Sequence, residues 1–166
     1  MNKNIIEINK LYKNFKSINS TIKVLKDINL NLESGKLIAL IGPSGSGKST
    51  FLHLLALLDK PSKGKIRLLG KDTDDISEDQ KNLIIINNIS IIFQNNNLLS
   101  DFTAIENVAI PLLIRENNYS LSIKKASKIL STVNLSHRLN HFPSDLSGGE
   151  QQRVAIARSI ASDTSI

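Results

Sequence analysis

The feature that most constrains the fold of this chain is a glycine-rich segment at residues 42–50, which reads GPSGSGKST. It matches the pattern G-x-x-x-x-G-K-[ST] of a phosphate-binding loop. Glycines let such a loop turn tightly, so that successive backbone N–H groups face one anion without a Cβ in the way. Lys48 would reach the β- and γ-phosphates of a nucleotide, and the Ser49 hydroxyl would face Mg²⁺. The predicted phosphate contacts are Gly42, Pro43, Ser44, Gly45, Ser46, Gly47, Lys48, Ser49 and Thr50.

Apolar patterning around this loop predicts an α/β fold. Residues 28–32 alternate between apolar and polar side chains, as a half-buried strand does. Residues 37–41 are apolar without alternation, which indicates a strand covered on both faces in a parallel sheet. Further strands are predicted at residues 66–68 and 89–93.

Helical signals follow the loop and dominate the second half of the chain. The apolar stripe at residues 51–58 predicts a helix that Pro61 and Gly64 terminate. The spacing of Thr103 and Glu106 predicts a capping box that opens a second helix. Residues 121–133 form an amphipathic stripe and residues 150–161 a last helix. The stripe comprises Ile123, Ala126, Ile129, Leu130 and Val133.

Composition excludes several classes of protein. The chain has no cysteine, which removes disulfides and thiolate metal sites and suits a reducing compartment. No apolar run approaches the roughly 20 residues that cross a bilayer, so a membrane role requires a partner. The net charge of +6 is scattered along the chain, and no basic block points to nucleic acid.

A second motif, LSGGEQQR at residues 146–153, opens the last helix. Together with the phosphate loop, it resembles the nucleotide-binding domain of ABC ATPases. The resemblance implies a P-loop NTPase fold with an N-terminal antiparallel β region and a helical insertion. It also implies a homodimer in which Ser147, Gly148, Gly149 and Glu150 contact the ATP held by the other subunit. A helix N-cap, with Ser147 and Glu150 as a capping box, is the simpler interpretation of the same residues, and the two are compatible.

Two further positions carry roles implied by the resemblance. Gln94 falls where the family has a glutamine that contacts Mg²⁺ and the attacking water and senses the membrane subunit; the metal contacts would then be Ser49 and Gln94. Phe15 falls where the family places an aromatic that stacks on adenine. A core phenylalanine is the alternative for Phe15, and Tyr12 is a second candidate for the base. His53, His137 and His141 receive no role.

Within the family, three stretches resemble the branch that releases lipoproteins from the bacterial inner membrane. They read FLHLLALLDKPSKG, NNLLSDFTAIENVAIPLLI and LSHRLNHFPSDLSGGEQQRVAIAR. The branch implies a peripheral subunit on the cytoplasmic face of that membrane, bound to integral-membrane permease subunits, with ATP and Mg²⁺ as ligands. Related macrolide-export and cell-division ATPases are alternatives, as is a soluble ABC ATPase acting on nucleic acid or ribosomes.

The family continues into a strand ending in Asp-Glu and a later switch histidine, which supply hydrolytic groups. These are absent from residues 1–166, and Asp163 does not replace them. We therefore expect a truncated domain that lacks the C-terminal sheet strands and is impaired in hydrolysis, or a remnant of a decaying gene. The expected parts are an ATP-binding core at 1–94, a helical insertion at 95–145 and the signature helix at 146–161.

Overall fold

The computed structural model describes residues 4–18 and 20–166. Contacts divide the chain into two compact units, an N-terminal unit ending at Leu83 and a C-terminal unit, Ile84–Ile166. The division falls inside one helix and differs from the three predicted parts, which stay predictions. Strands are β1 (Asn4–Lys16), β2 (Thr21–Glu33), β3 (Lys63–Leu68) and β4 (Lys71–Asp72). Helices are α1 (Lys48–Leu55), α2 (Glu78–Asn88), α3 (Ala104–Glu116), α4 (Tyr119–Thr132) and α5 (Gly148–Ala161).

The N-terminal unit is built on an antiparallel sheet with strand order β2-β1-β3-β4. This confirms the predicted N-terminal antiparallel β region, and the strands predicted at 28–32 and 66–68 lie within β2 and β3. Its buried apolar side chains come from β1, β2, β3, α1 and the turn after α1. They are Ile6, Ile8, Leu11, Leu25, Phe51, Leu54, Ala56, Leu57, Ile66 and Leu68.

The predicted buried strand at residues 37–41 is wrong for the structure described. These residues have no strand assignment, and the Leu37 and Ile41 side chains are 102% and 90% exposed. Residues 89–93 likewise form no strand, although Ile89 is buried. A strand exists only where a neighbour supplies ladder hydrogen bonds, and within residues 4–18 and 20–166 neither segment belongs to the sheet.

The helix predicted at residues 51–58 ends three residues early, at Leu55. Ala56 is its C-cap, and Leu57 then adopts a left-handed backbone with φ of 59°. The chain therefore leaves the helix before Pro61, and Leu58 is exposed. Helix α2, which no sequence pattern singled out, begins at Glu78.

The C-terminal unit is organised around α3, α4 and α5, whose apolar faces share one core. The predicted capping box at Thr103 is confirmed: its amide donates to Glu106 at 2.8 Å, and its hydroxyl accepts from the Glu106 amide. The predicted α4 stripe is also confirmed, because Ala126 and Leu130 are fully buried in this core. Its other members pack against the core from partly buried positions, namely Ile123, Ile129 and Val133.

We expect Leu130→Ala to lower the free energy of unfolding by about 2–5 kcal/mol, because it removes a fully buried side chain from the helical core. The matched control is Leu121→Ala on the same helix, where the side chain is 41% exposed. That variant is expected to change stability by only about 0.5 kcal/mol. Urea unfolding followed by circular dichroism measures both, and equal losses would contradict the assigned core.

Candidate functional site

The phosphate loop is shaped by glycines in the left-handed region. Gly45 and Gly47 have φ of 77° and 88°, and Gly47 is the N-cap of α1. A Cβ at Gly47 would lie 2.9 Å from Val24 Cγ1 and 3.0 Å from Leu25 Cδ2, too close for either to remain in place. Glycine is therefore required at position 47 both by the backbone angle and by the contact with β2.

Lys48 turns its ammonium back over the loop. Its Nζ donates to the carbonyl oxygens of Gly42 and Pro43 at 2.8 and 2.7 Å, and lies 3.4 Å from Ser46 Oγ. The loop closes beneath it through a bond from the Ser46 amide to Pro43 O. Among the residues described, the cation is thus held against the loop by neutral oxygens only, so its charge is not neutralised by a carboxylate and can attract an anion.

Helix α1 presents its N-terminal end to the same place. It begins at Lys48 and has no acidic residue in its first turn and no side-chain cap at Gly47. The first N–H groups of a helix have no partner within the helix and carry its positive dipole end. Ser49 and Thr50, at the start of this helix, bring two hydroxyl groups to that end. The loop and helix start therefore combine a cation, free N–H groups and hydroxyls, the donors that a polyphosphate needs.

Phe15 lies near the end of β1 and is 42% exposed, so the alternative of a core phenylalanine is wrong. The ammonium of Lys13 lies 5.0 Å from the centre of its ring. Tyr12 is half-buried and is registered against Lys63 of β3. Which of the two aromatics meets a base stays a prediction.

The second motif forms the start of α5. Ser147 is the N-cap: its hydroxyl accepts from the Glu150 amide, and its own amide donates to Glu150 Oε2 at 2.8 Å. This capping box confirms the simpler interpretation of the motif. Gly148 has no atom within 4 Å of where a Cβ would stand, and Gly149 has only the end of one arginine side chain. The helix start therefore has an exposed backbone at the two glycines, and its contact with the ATP of another subunit stays a prediction.

Glu150 is held in its ionised form by three donors. The pKa of its carboxyl is lowered to about 2, chiefly by the backbone and hydroxyl bonds from Ser147 and then by Arg138. Arg138 Nε donates to Glu150 Oε1 at 2.8 Å, and Arg138 Nη1 lies 3.1 Å from His141 Nε2. The loop before α5 is thereby fastened to the helix start.

Gln94 lies exposed in a turn of the C-terminal unit, whereas the phosphate loop belongs to the N-terminal unit. The metal and water contacts of Gln94 stay predictions. Sequence reasoning missed Arg158, whose guanidinium donates to the carbonyls of Asn96 and Asn97 at 2.9 Å each, just beyond Gln94. No local pattern could have found it, since its partners lie some sixty residues earlier.

The phosphate loop carries hydroxyl oxygens but no carboxylate. Mg²⁺ usually keeps several waters and is held by one or two carboxylates together with substrate phosphates, not by a dedicated protein cage. Oxygen is the ligand atom that Mg²⁺ prefers, so the Ser49 hydroxyl fits the predicted metal contact, which stays a prediction. In the part of the chain that the structure describes, no cluster of three or more His, Asp or Glu side chains could hold a metal.

No helix among residues 4–18 and 20–166 is long and apolar enough to cross a membrane.

Comparison with protein families matches residues 25–166 to the ABC transporter family. The chain is 46% identical over 160 residues to the lipoprotein-releasing system ATP-binding protein LolD of Rickettsia bellii, covering 96% of this chain and 70% of that protein. It is 40% identical over 161 residues to LolD of Acinetobacter baylyi, covering 96% and 71%. It is also 42% identical to the macrolide export protein MacB of Bdellovibrio bacteriovorus, covering 98% of this chain but 25% of that one.

Among solved structures, the chain is similar to the ATP-binding cassette MJ0796 in a dimeric post-hydrolysis state bound to ADP and Pi. The TM-score is 0.90 and the identity 37%, over 96% of this chain and 70% of that one.

We predict that the Glu150 carboxyl titrates at about pH 2, below its ordinary 4.5. Because the folded-state pKa is depressed, the stabilisation that it provides is complete above the unfolded value and is lost as pH falls from about 4.5 towards 2. Carboxyl-carbon NMR measures the pKa directly. Acid unfolding of Glu150→Gln should lack this component, and a Glu150 pKa near 4.5 would contradict the network.

Proposed function

The chain belongs to the ABC transporter family, and on that premise we propose that it is the ATP-binding subunit of a transporter that releases lipoproteins from the inner membrane. ATP hydrolysis is the activity expected of this family. The observation that carries ATP binding is the loop at residues 42–50, where the Lys48 ammonium folds back over the loop beside the uncapped start of α1.

In the proposed binding mode, the backbone amides of the loop and of the N-terminal end of α1 donate to the phosphates. Lys48 gives up its hydrogen bonds to the carbonyls of Gly42 and Pro43 and forms new ones to phosphate oxygens. An ammonium bound to a phosphate oxygen pairs two opposite charges, whereas the carbonyls of Gly42 and Pro43 are neutral acceptors, and this difference favours the exchange. Mg²⁺, with the Ser49 hydroxyl as one of its ligands, would neutralise phosphate charge. Phe15 would stack on the adenine from its exposed position on β1.

Two partner classes belong to the proposal. A second copy of the chain would meet the nucleotide with Ser147, Gly148 and Gly149, and the dimeric solved relative supports that assembly. Permease subunits would bind beside Gln94 and the following helices, which places the protein at the cytoplasmic face of the membrane. No nucleic-acid partner is proposed, and the impaired hydrolysis expected of residues 1–166 stays a prediction.

The lipoprotein branch is supported by relatives from several bacteria that share 40–46% of their residues with the chain. A macrolide-export ATPase is the second candidate, because MacB matches at 42%. In MacB the matched part is a quarter of a longer chain, whereas it is about 70% of the lipoprotein-releasing relatives.

We expect Lys48→Ala to weaken ATP binding about 10- to 150-fold, since a hydrogen bond to a charged group contributes roughly 1.5–3 kcal/mol. Titration with a fluorescent ATP analogue measures the change. The control is Lys36→Ala, which removes the same charge from an exposed position just before the loop. Equal affinity of Lys48→Ala and the parent protein would refute the assignment.

A further inference from the structure

Lys13 is a buried cation in a strand that otherwise buries apolar side chains. It is 8% exposed, and its Nζ donates to Asp59 Oδ1 at 2.6 Å and to Lys60 O at 2.7 Å. The bond from Lys13 is the main cause that lowers the pKa of Asp59, which keeps that carboxyl ionised at neutral pH. Burying an ammonium is costly unless it is well paired, and the Asp59 carboxylate and the Lys60 carbonyl supply those partners.

The same ammonium lies over the ring of Phe15, 5.0 Å from its centre. A cation at this distance is attracted to the electron-rich face of an aromatic ring. The ring is nonetheless 42% exposed. Lys13 therefore covers one part of Phe15 and restrains it, while much of the ring remains open for a planar ligand.

Lys13 also connects Phe15 to both sides of the phosphate loop. It is registered against Leu25 of β2, the residue whose side chain packs at Gly47. Its partners Asp59 and Lys60 lie in the segment that follows α1, the helix that the loop opens. All of these residues belong to the N-terminal unit.

We propose that Lys13 is a positioning residue for the base of the nucleotide: it holds the Phe15 ring in the orientation that receives a purine and fixes that ring relative to the phosphate loop. The proposal rests on the proposed function, namely ATP binding with adenine on Phe15. It makes Lys13 responsible for recognition of the base and not of the phosphates, because its ammonium is committed to Asp59, Lys60 and the ring.

The test compares ATP with inorganic triphosphate, which has the phosphates but no base, by calorimetry on the 166-residue chain. Lys13→Met should weaken ATP binding roughly three- to tenfold, the cost of ordering a side chain that is no longer restrained, and leave triphosphate binding unchanged. Lys13→Arg, which keeps the charge, should retain most of the ATP affinity. The control is Lys16→Met at the exposed end of the same strand.

A double-mutant cycle separates positioning from general stabilisation. In a Phe15→Leu background, Lys13→Met should have no further effect on ATP binding, because the ring that Lys13 orients is gone. If Lys13→Met does not fold, Lys13→Met combined with Asp59→Asn removes both charges of the pair and is measured instead.

The outcomes distinguish the two proposals. Equal losses for ATP and triphosphate, or no loss for ATP, would overturn the role of Lys13. An effect of Lys13→Met that persists in full without the Phe15 ring would also overturn it. Failure of the proposed function would show differently, as triphosphate binding that does not depend on Lys48.

Discussion

The close contact of Gly47 with β2 is the constraint on which the rest of the candidate site depends. With no Cβ, the chain passes within van der Waals contact of Val24 and Leu25 and enters α1 directly from a left-handed N-cap. That entry places the first N–H groups of the helix beside the Lys48 side chain, which folds back onto the loop. A larger residue at position 47 would be strained by its left-handed backbone and would have to displace the Val24 and Leu25 side chains of β2.

The start of α5 is exposed at Gly148 and Gly149 and is nonetheless held by side-chain contacts. Glu150 accepts from Ser147 and Arg138 and thereby ties the helix start to the preceding loop. Neither contact covers the two glycines: Gly148 has no atom near the position of a Cβ, and Gly149 has only the end of one arginine side chain.

Whether the sequence predicted a feature depended on how far apart along the chain the interacting residues lie. Both capping boxes and the glycine turn of the phosphate loop depend on neighbours within a few residues, and local spacing predicted them. The contact of Gly47 with Val24 and Leu25 of β2 is long-range, and no local pattern predicted it. The strand expected at residues 37–41 depends on neighbouring strands that its own apolar residues cannot specify, and it does not form. Lys13 and Arg158 were missed for the same reason, because their hydrogen-bond partners lie 46 to 62 residues away in the chain. The early end of α1 reflects the left-handed Leu57, which no propensity indicates.

Binding of the ATP phosphates by residues 42–50 can be measured by NMR of the backbone amides. On titration with ATP, we expect the largest shift changes at the amides of Gly45, Gly47, Lys48 and Ser49, with smaller changes at the Phe15 ring. Inorganic triphosphate should reproduce the loop changes and leave Phe15 unaffected. If ATP binds saturably and none of the loop amides shifts, residues 42–50 are not the phosphate site.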